Sequence, residues 1–404
     1  MMVIKNAAQI LTLTGKELGI IKNDSLSIKD DKITSVNHRT SNIRHQKSID
    51  ARGCIIMPGF VDCHTHLVFA GSRENEFAMR LEGKTYKEVL VAGGGILQTV
   101  ATTRKASEKE LIKLAQKRID ELIRWGTTTV EIKSGYGLDT PTELKILKVI
   151  KTLQNVNKDR ITIIPTFLGA HAIPARIKKA NYIHKLISEM IPLVAKENLA
   201  QFCDVFCENF VFNAQESKKI LLAGKKFGLI PKIHADEIES SGGAEKAGEI
   251  GAISAEHLLY PSNKGLNMMK RKDVVAVLLP GTTLFLKSKQ IPPIEMMRKL
   301  GITIALGSDY NPGTCMIYQM PIIIALGCLL YNMSLIEAIR GATINGAKAL
   351  GLDKKIGTIE TGKNADLLIL DIPDYRHIPY QFGKSLIKTV IKHGKIIYSR
   401  NTYC

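Results

Sequence analysis

The spacing of apolar and polar positions changes rhythm twice along this 404-residue chain. Over residues 1 to about 56, short apolar runs (Val3–Ile4, Ile10–Leu13, Ser25–Ile28, Lys32–Val36) alternate with Asn, Asp and Gly turns. That pattern predicts a small antiparallel sheet. From about residue 57 the rhythm becomes strand, loop, helix, repeated. Strand candidates are Gly59–Cys63, Thr128–Ile132, Ile161–Leu168, Val205–Asn209, Leu229–Ile233, Ala252–Ala255, Val274–Leu279 and Ile302–Leu306. Between them, Ser107–Ile123 and Thr142–Leu153 carry apolar residues at three- and four-residue spacing, the mark of amphipathic helices. Ser107 with Glu110 gives the first a capping-box start. Eight βα repeats predict an α/β fold, a (β/α)8 barrel.

Alternation returns near the C-terminus. Gly357–Asp366 leads into Leu367–Leu370, and Ile387–Ile391 and Lys395–Tyr398 flank the turn His393-Gly394. Chain termini often lie close together. Residues 1–56 and 356–404 are therefore expected to pair as one discontinuous β-sandwich domain beside a barrel domain spanning 57–355.

The chemistry of such a barrel sits at the C-terminal ends of its strands, and the histidines fall there. In Met57-Pro-Gly-Phe-Val-Asp-Cys-His-Thr-His-Leu67 an apolar strand ends in His-x-His. Side chains two apart on a strand point the same way, so His64 and His66 converge while Thr65 faces the opposite side. Ile233-His234-Ala-Asp-Glu237, Ser254-Ala-Glu-His257 and Gly307-Ser-Asp309-Tyr-Asn311-Pro-Gly313-Thr314 each follow a short hydrophobic run. Taken singly, each reads equally as a histidine bonded within a core or an Asp capping a helix. Together at strand ends, His64, His66, His234 and Asp309 make a ligand set for one Zn2+ or iron ion per subunit. An ion with an open position lowers the pKa of a water toward roughly 7, and the second oxygen of Asp309 can accept the proton. His257 fits a residue that hydrogen-bonds the water or an oxyanion, or else one that supports the ligands structurally.

Composition narrows the setting. With 45% hydrophobic and 23% charged residues the chain is an ordinary globular one, but its formal charge of +18 is not ordinary. The lysines are scattered, and no basic run interleaved with aromatics or nucleic-acid module is present. A lysine-rich proteome is the plain explanation of the charge, and a positive field that favours an anionic small-molecule substrate is compatible with it. Seven cysteines without framework spacing point to a reducing compartment. No basic-then-apolar leader opens the chain, and the apolar stretch Pro321–Leu330 falls short of the ~20 residues that span a bilayer. A cytoplasmic enzyme is expected, with neither nucleic acid nor membrane as partner and with the assembly state open, a homodimer being one option. Ala92-Gly-Gly-Gly95 matches neither phosphate-loop spacing and reads as a flexible loop, a cover for bound substrate.

The ligand pattern resembles the amidohydrolase superfamily, in which the first barrel strand gives His-x-His, the fifth and sixth one His each, and the eighth an Asp. Binuclear members use a carbamylated lysine on the fourth strand. Val205–Asn209 contains no lysine, which implies a single metal, and Lys133 after the second strand is read as structural or solvated.

Six further runs carry the resemblance over nearly the whole chain: His64-Thr-His-Leu-Val-Phe-Ala-Gly-Ser-Arg73-Glu, Phe77-Ala-Met-Arg-Leu-Glu-Gly-Lys-Thr-Tyr86, Glu131-Ile-Lys-Ser-Gly-Tyr136-Gly-Leu, Gly169-Ala-His171-Ala-Ile-Pro174, His234-Ala-Asp-Glu237 and Gly307-Ser-Asp-Tyr-Asn-Pro-Gly-Thr314. They are similar to the members that open an imidazolone ring in histidine breakdown. The resemblance implies 4-imidazolone-5-propanoate as substrate and N-formimidoyl-L-glutamate as product. It further implies that Arg73 holds the propionate, that Tyr136 adds a phenolic donor and that His171 bonds the ring or its carbonyl. Glu237 then bonds a ring N–H or carries a proton to the leaving nitrogen, and Asn311, Gly313 and Thr314 line the loop after Asp309. Two other readings stay open: another mononuclear amidohydrolase, such as an aminoimidazole or purine deaminase, and a non-catalytic interaction protein on the same scaffold.

Overall fold

Alternating β-branched residues at the two ends of the chain do build one sheet. A computed structural model describes residues 1–36, 47–84, 88 and 93–400; Tyr86, Ala92 and Cys404 lie outside them. The N-terminal strands are β1 (Met2–Leu11), β2 (Ile20–Lys29), β3 (Lys32–Val36), β4 (Lys47–Asp50) and β5 (Ile55–Pro58). The barrel strands are β6 (Phe60–Asp62), β7 (Thr127–Lys133), β8 (Thr162–Ala170), β9 (Phe202–Cys207), β10 (Ile230–Ala235), β11 (Ser254–His257), β12 (Val275–Leu278) and β13 (Ile304–Leu306). Strands β14 (Leu367–Leu370), β15 (Ile387–Lys392) and β16 (Lys395–Ser399) return to the first sheet.

That terminal sheet is one continuous mixed sheet, in the order β16-β15-β14-β5-β1-β2-β3 with β4 beside β1. Its side chains separate with a period of two. Ile56, Leu367, Ile369 and Ile391 enter a core made by the termini alone, while Ile55, Met57, Leu368 and Val390 join the barrel's core. Burial on both faces explains why β5 and β14 are apolar throughout. Met57 and Pro58 pair with Leu368 and Leu367, so the chain changes sheets at Gly59. A Cβ there would stand 2.2 Å from Thr128 Oγ1, which leaves room for glycine only.

β6 to β13 form a parallel sheet in strictly sequential order, the signature of a βα-repeat barrel. It closes just beyond the strand ends. Asp309 N donates to His64 O at 2.9 Å and His66 N to Tyr310 O at 3.0 Å. Ser308 adds two bonds, from its N–H and its hydroxyl, to the carboxylate of Asp62. Helix Glu108–Arg124 turns Leu111, Ala115, Ile119 and Leu122 inward, and Ser107 Oγ caps it by accepting from Glu110 N. Helix Thr140–Val156 begins two residues before the apolar periodicity does, because Asp139 caps it. No described helix is long and apolar enough to cross a membrane.

Candidate active site

Four barrel strands carry charged residues at positions that should be apolar. In β7 these are Glu131 and Lys133; in β10, Lys232 precedes His234 by two; Asp204 lies in β9 and Glu256 in β11. The spacing of two turns each pair inward, and Glu131, Lys133, Lys232, Glu256 and Asp204 are buried. Charged groups are almost never fully buried unless paired, and these are. Lys133 Nζ lies 2.8 Å from Asp204 Oδ2, 3.0 Å from Glu256 Oε2 and 3.1 Å from Glu131 Oε1. Lys232 Nζ lies 2.8 Å from Glu131 Oε2 and 2.9 Å from Glu256 Oε1. Burial opposes the charge of Lys133, but Asp204, Glu131 and Glu256 outweigh it and hold the ammonium well above the usual lysine range. Lys133 is thus structural and not solvated.

On this charged floor stand the histidines. Glu256 Oε2 is 2.7 Å from His64 Nδ1, and Asp204 Oδ2 is 3.0 Å from His234 Nδ1. A carboxylate on Nδ1 fixes the ring and leaves Nε2 as the donor toward the barrel mouth. His64 Nε2 and His66 Nε2 come within 3.3 Å of one another, and each is 3.4 Å from Asp309 Oδ1. His234 offers one ring nitrogen toward the other two histidines, the ligand atoms of all three lying within 4.8 Å of one another. Its Nε2 is buried with no hydrogen-bond partner. Three imidazole nitrogens and a carboxylate oxygen, one of them an orphan, fit a single cation of the zinc or iron type. Burial disfavours the charge of His64, yet the neighbouring carboxylates Glu256 and Asp309 raise its pKa to about 9. Thr282, on the turn of helix after β12, donates to Asp309 Oδ2 at 2.6 Å and fixes which oxygen faces the histidines. His257 and Asp309 both adopt positive φ, +70° and +53°, a strained backbone of the kind found at functional sites.

Above the histidines opens a cavity of about 1180 Å³. Arg73, Tyr136, His171, Glu237, His257 and Thr314 line it together with Asn311, so the structure brings the sequence-predicted residues to one place. His171 stacks on His66, with ring centroids 4.9 Å apart and planes 18° apart. Its Nδ1 meets Gly135 O at 3.2 Å. Burial lowers both His171 and His257 to about 3, so both present neutral imidazoles. Burial, reinforced by Asp309 and Glu208, pushes the Glu237 carboxyl up to about 8. His257 Nδ1 stands 3.5 Å from Glu237 Oε1, a partner that the sequence does not reveal. Glu208 steadies Glu237 from below by accepting from the N–H groups of Glu237 (2.7 Å) and Ile238 (3.0 Å).

The loop after Asp309 holds itself together. Asn311 donates to Asp309 O and Thr314 Oγ1 and accepts from Gly313 N and Thr314 N, so its amide is engaged within the loop. Gly313 does permit a close approach, but the approaching group is the Arg73 guanidinium: a Cβ at 313 would meet Arg73 Nη1 at 2.0 Å.

Residues 55–397 match the model of the amidohydrolase family. The imidazolonepropionase of Clostridium tetani is 44% identical, over 99% of this chain and 98% of its own length. That of Thermoanaerobacter pseudethanolicus is 46% identical, over 92% of this chain and 89% of its own. Among solved structures, the 5-methylcytosine deaminase of Klebsiella pneumoniae liganded with phosphonocytosine superposes with a TM-score of 0.76 at 20% identity, covering 100% of this chain and 99% of the other. That likeness speaks for the fold alone. The two whole-length relatives and the family match agree with the geometry above, and this chain belongs to the amidohydrolase family and, within it, to the imidazolonepropionases.

Proposed function

We infer that this chain opens the ring of 4-imidazolone-5-propanoate by hydrolysis, giving N-formimidoyl-L-glutamate in histidine degradation. The observation that carries this reading is identity of 44% over essentially the whole length of an imidazolonepropionase. In the reaction, a water oxygen bonds to the ring carbonyl carbon and the bond from that carbon to the adjacent ring nitrogen breaks. One proton of the water ends on the nitrogen, and the other is released as the new carboxyl group ionises.

His64, His66, His234 and Asp309 would hold one divalent ion, zinc and iron being equally suited to this donor set. When bound, such an ion acts as a Lewis acid and generates a nucleophile from water near neutral pH. The chain's own residues supply the rest. Asp309 Oδ2, steadied by Thr282, has a second lone pair with which to take the water's proton. Glu237 keeps its own proton near neutral pH because of its burial and gives it to the departing nitrogen. His257, neutral and next to Glu237, hydrogen-bonds the oxygen on which negative charge develops. Arg73 anchors the propionate. Tyr136 and His171 flank the ring, Thr314 faces the cavity, and Asn311 and Gly313 set the loop's shape around it.

The test is to strip metal with a chelator, restore Zn2+ or Fe2+, and follow loss of the imidazolone chromophore and appearance of the formimidoyl product. Activity should vanish and return. A metal-replete protein that leaves the imidazolone intact, or that releases ammonia from an aminated ring instead, overturns the assignment.

A further inference from the structure

The lining of the cavity carries cations: Arg73, Arg80, Lys84 and Lys287 all face it. Glu76 stands among them. Arg73 immediately precedes helix Glu74–Leu81 without a side-chain capping bond, and residues three apart on a helix share a face. The Arg73 Nε meets Glu76 Oε2 at 2.8 Å and Nη2 meets Oε1 at 2.7 Å, a two-pronged pair with little exposure on either side. The same Oε2 accepts from Gly95 N at 2.8 Å. Arg80 approaches Oε1 at 3.8 Å and donates to Gly313 O at 2.6 Å. Glu76 therefore ties together the head of this helix, the glycine segment at 93–95 and, through both arginines, the loop after Asp309.

A guanidinium can grip a carboxylate along its Nε/Nη2 edge or across its Nη1/Nη2 end. Glu76 occupies the edge, so only the end is free for a ligand. An arginine otherwise loses considerable rotamer freedom when it binds, and a side chain already fixed makes binding tighter because that freedom is not lost again. We propose that Glu76 is a positioning residue that holds Arg73 so that its Nη1/Nη2 end, and not its Nε edge, receives the substrate carboxylate. The proposal rests on the reading of Arg73 as the carboxylate anchor.

The experiment measures kcat, KM and metal content for Glu76→Gln, Arg73→Met and the double variant, on the propanoate substrate and on its uncharged propionamide counterpart. Arg73→Met should raise KM for the propanoate roughly 30-fold or more and change it little for the propionamide. Glu76→Gln should raise KM for the propanoate about tenfold, with kcat and metal content unchanged. It should have no effect on the propionamide and none in the Arg73→Met background. If Arg73→Met matters but Glu76→Gln does not, or if Glu76→Gln weakens both compounds equally, the positioning role is wrong while the anchor stands. If Arg73→Met leaves KM for the propanoate unchanged, the anchor itself is wrong and the proposal falls with it.

Discussion

Replacing Lys133 by methionine tests the charged barrel floor most directly. The side chain is fully buried, and Met is close enough in length that no large cavity opens. What disappears is an ammonium within 2.8–3.1 Å of three carboxylates. Lys232 then remains as the ammonium beside Glu131 and Glu256, and Asp204 is left with His234. Removing one partner of a buried ion pair typically costs about 3–5 kcal/mol. The unfolding entropy near 60 °C is about 2.1 cal/mol/K per residue, or roughly 0.85 kcal/mol/K for a chain of this length, so Tm should fall by about 4–6 °C. The two carboxylates that hold His64 and His234 by Nδ1 lose a shared counter-charge at the same time, and such outer partners are worth roughly 10–100-fold in metal affinity. Calorimetry of the metal-free protein reads the first effect, and competition against a chromophoric chelator reads the second. Adding Glu131→Gln restores the charge balance of the cluster and should recover part of the lost stability. A Lys133→Met protein that melts within about 1 °C of the parent and binds metal normally would refute the view that this cluster is held by its charges.

His234→Ala removes the buried nitrogen that lacks a protein partner, so elemental analysis and turnover should fall together; a full metal complement with normal turnover would remove His234 from the ligand set. Asp309→Asn keeps an oxygen that can coordinate but cannot take a proton at neutral pH, so kcat should drop far more than metal occupancy, and retained kcat with full metal would place the base elsewhere. Gly313→Ala sets a methyl 2.0 Å from Arg73 Nη1, on a side chain that Glu76 holds by two bonds, so the guanidinium or the loop must shift and KM should rise; unchanged KM would show that this contact does not set the pose of Arg73. Burial pushes Glu208 up to about 7, above the ordinary carboxyl value. A raised carboxyl pKa favours the fold fully at acid pH and loses that contribution as pH rises from about 4.5 through about 7. Glu208→Gln, scanned by denaturant at several pH values, should gain stability relative to the parent across that window, and parallel curves would contradict the shift.

The sequence reveals most where residues obey the period of their element. The His64-x-His66 pair, His234 and Asp309 are legible because each ends an apolar strand, and the barrel is legible from eight repeats. Where the reading slips, one physical cause recurs: polar residues inside the barrel interrupt the apolar runs. Asp204 breaks the run that begins at Phe202, so β9 is expected at Val205–Asn209 although it covers Phe202–Cys207. Glu256 and His257 likewise push the expected strand upstream of β11, and Lys133, the last residue of β7, is placed beyond its strand. The buried ion cluster left a signal in the alternation of Glu131 with Lys133 and Lys232 with His234, one that hydrophobic periodicity discards. Thr282 left none, because its partner Asp309 is set by tertiary contact; the three-residue spacing of Arg73 and Glu76 is local, but the bond from Gly95 to Glu76 is not.

The seam of the barrel has a consequence for how the protein is made. Asp62 and Ser308 join across it although they lie 246 positions apart in the chain, and the metal-ligand candidates sit on the same seam: His64 and His66 just after β6, Asp309 just after β13. The site therefore does not exist on a ribosome-bound chain until the eighth barrel strand has emerged and docked against the first. The price of closing so long a loop grows only slowly with its length, and an ion that binds the finished seam and not the open chain adds its binding free energy to the closed form alone. Metal capture by these candidates would then mark completion of the ring, and a chain truncated before β13 keeps the three histidines but has neither the aspartate nor a seam to clasp.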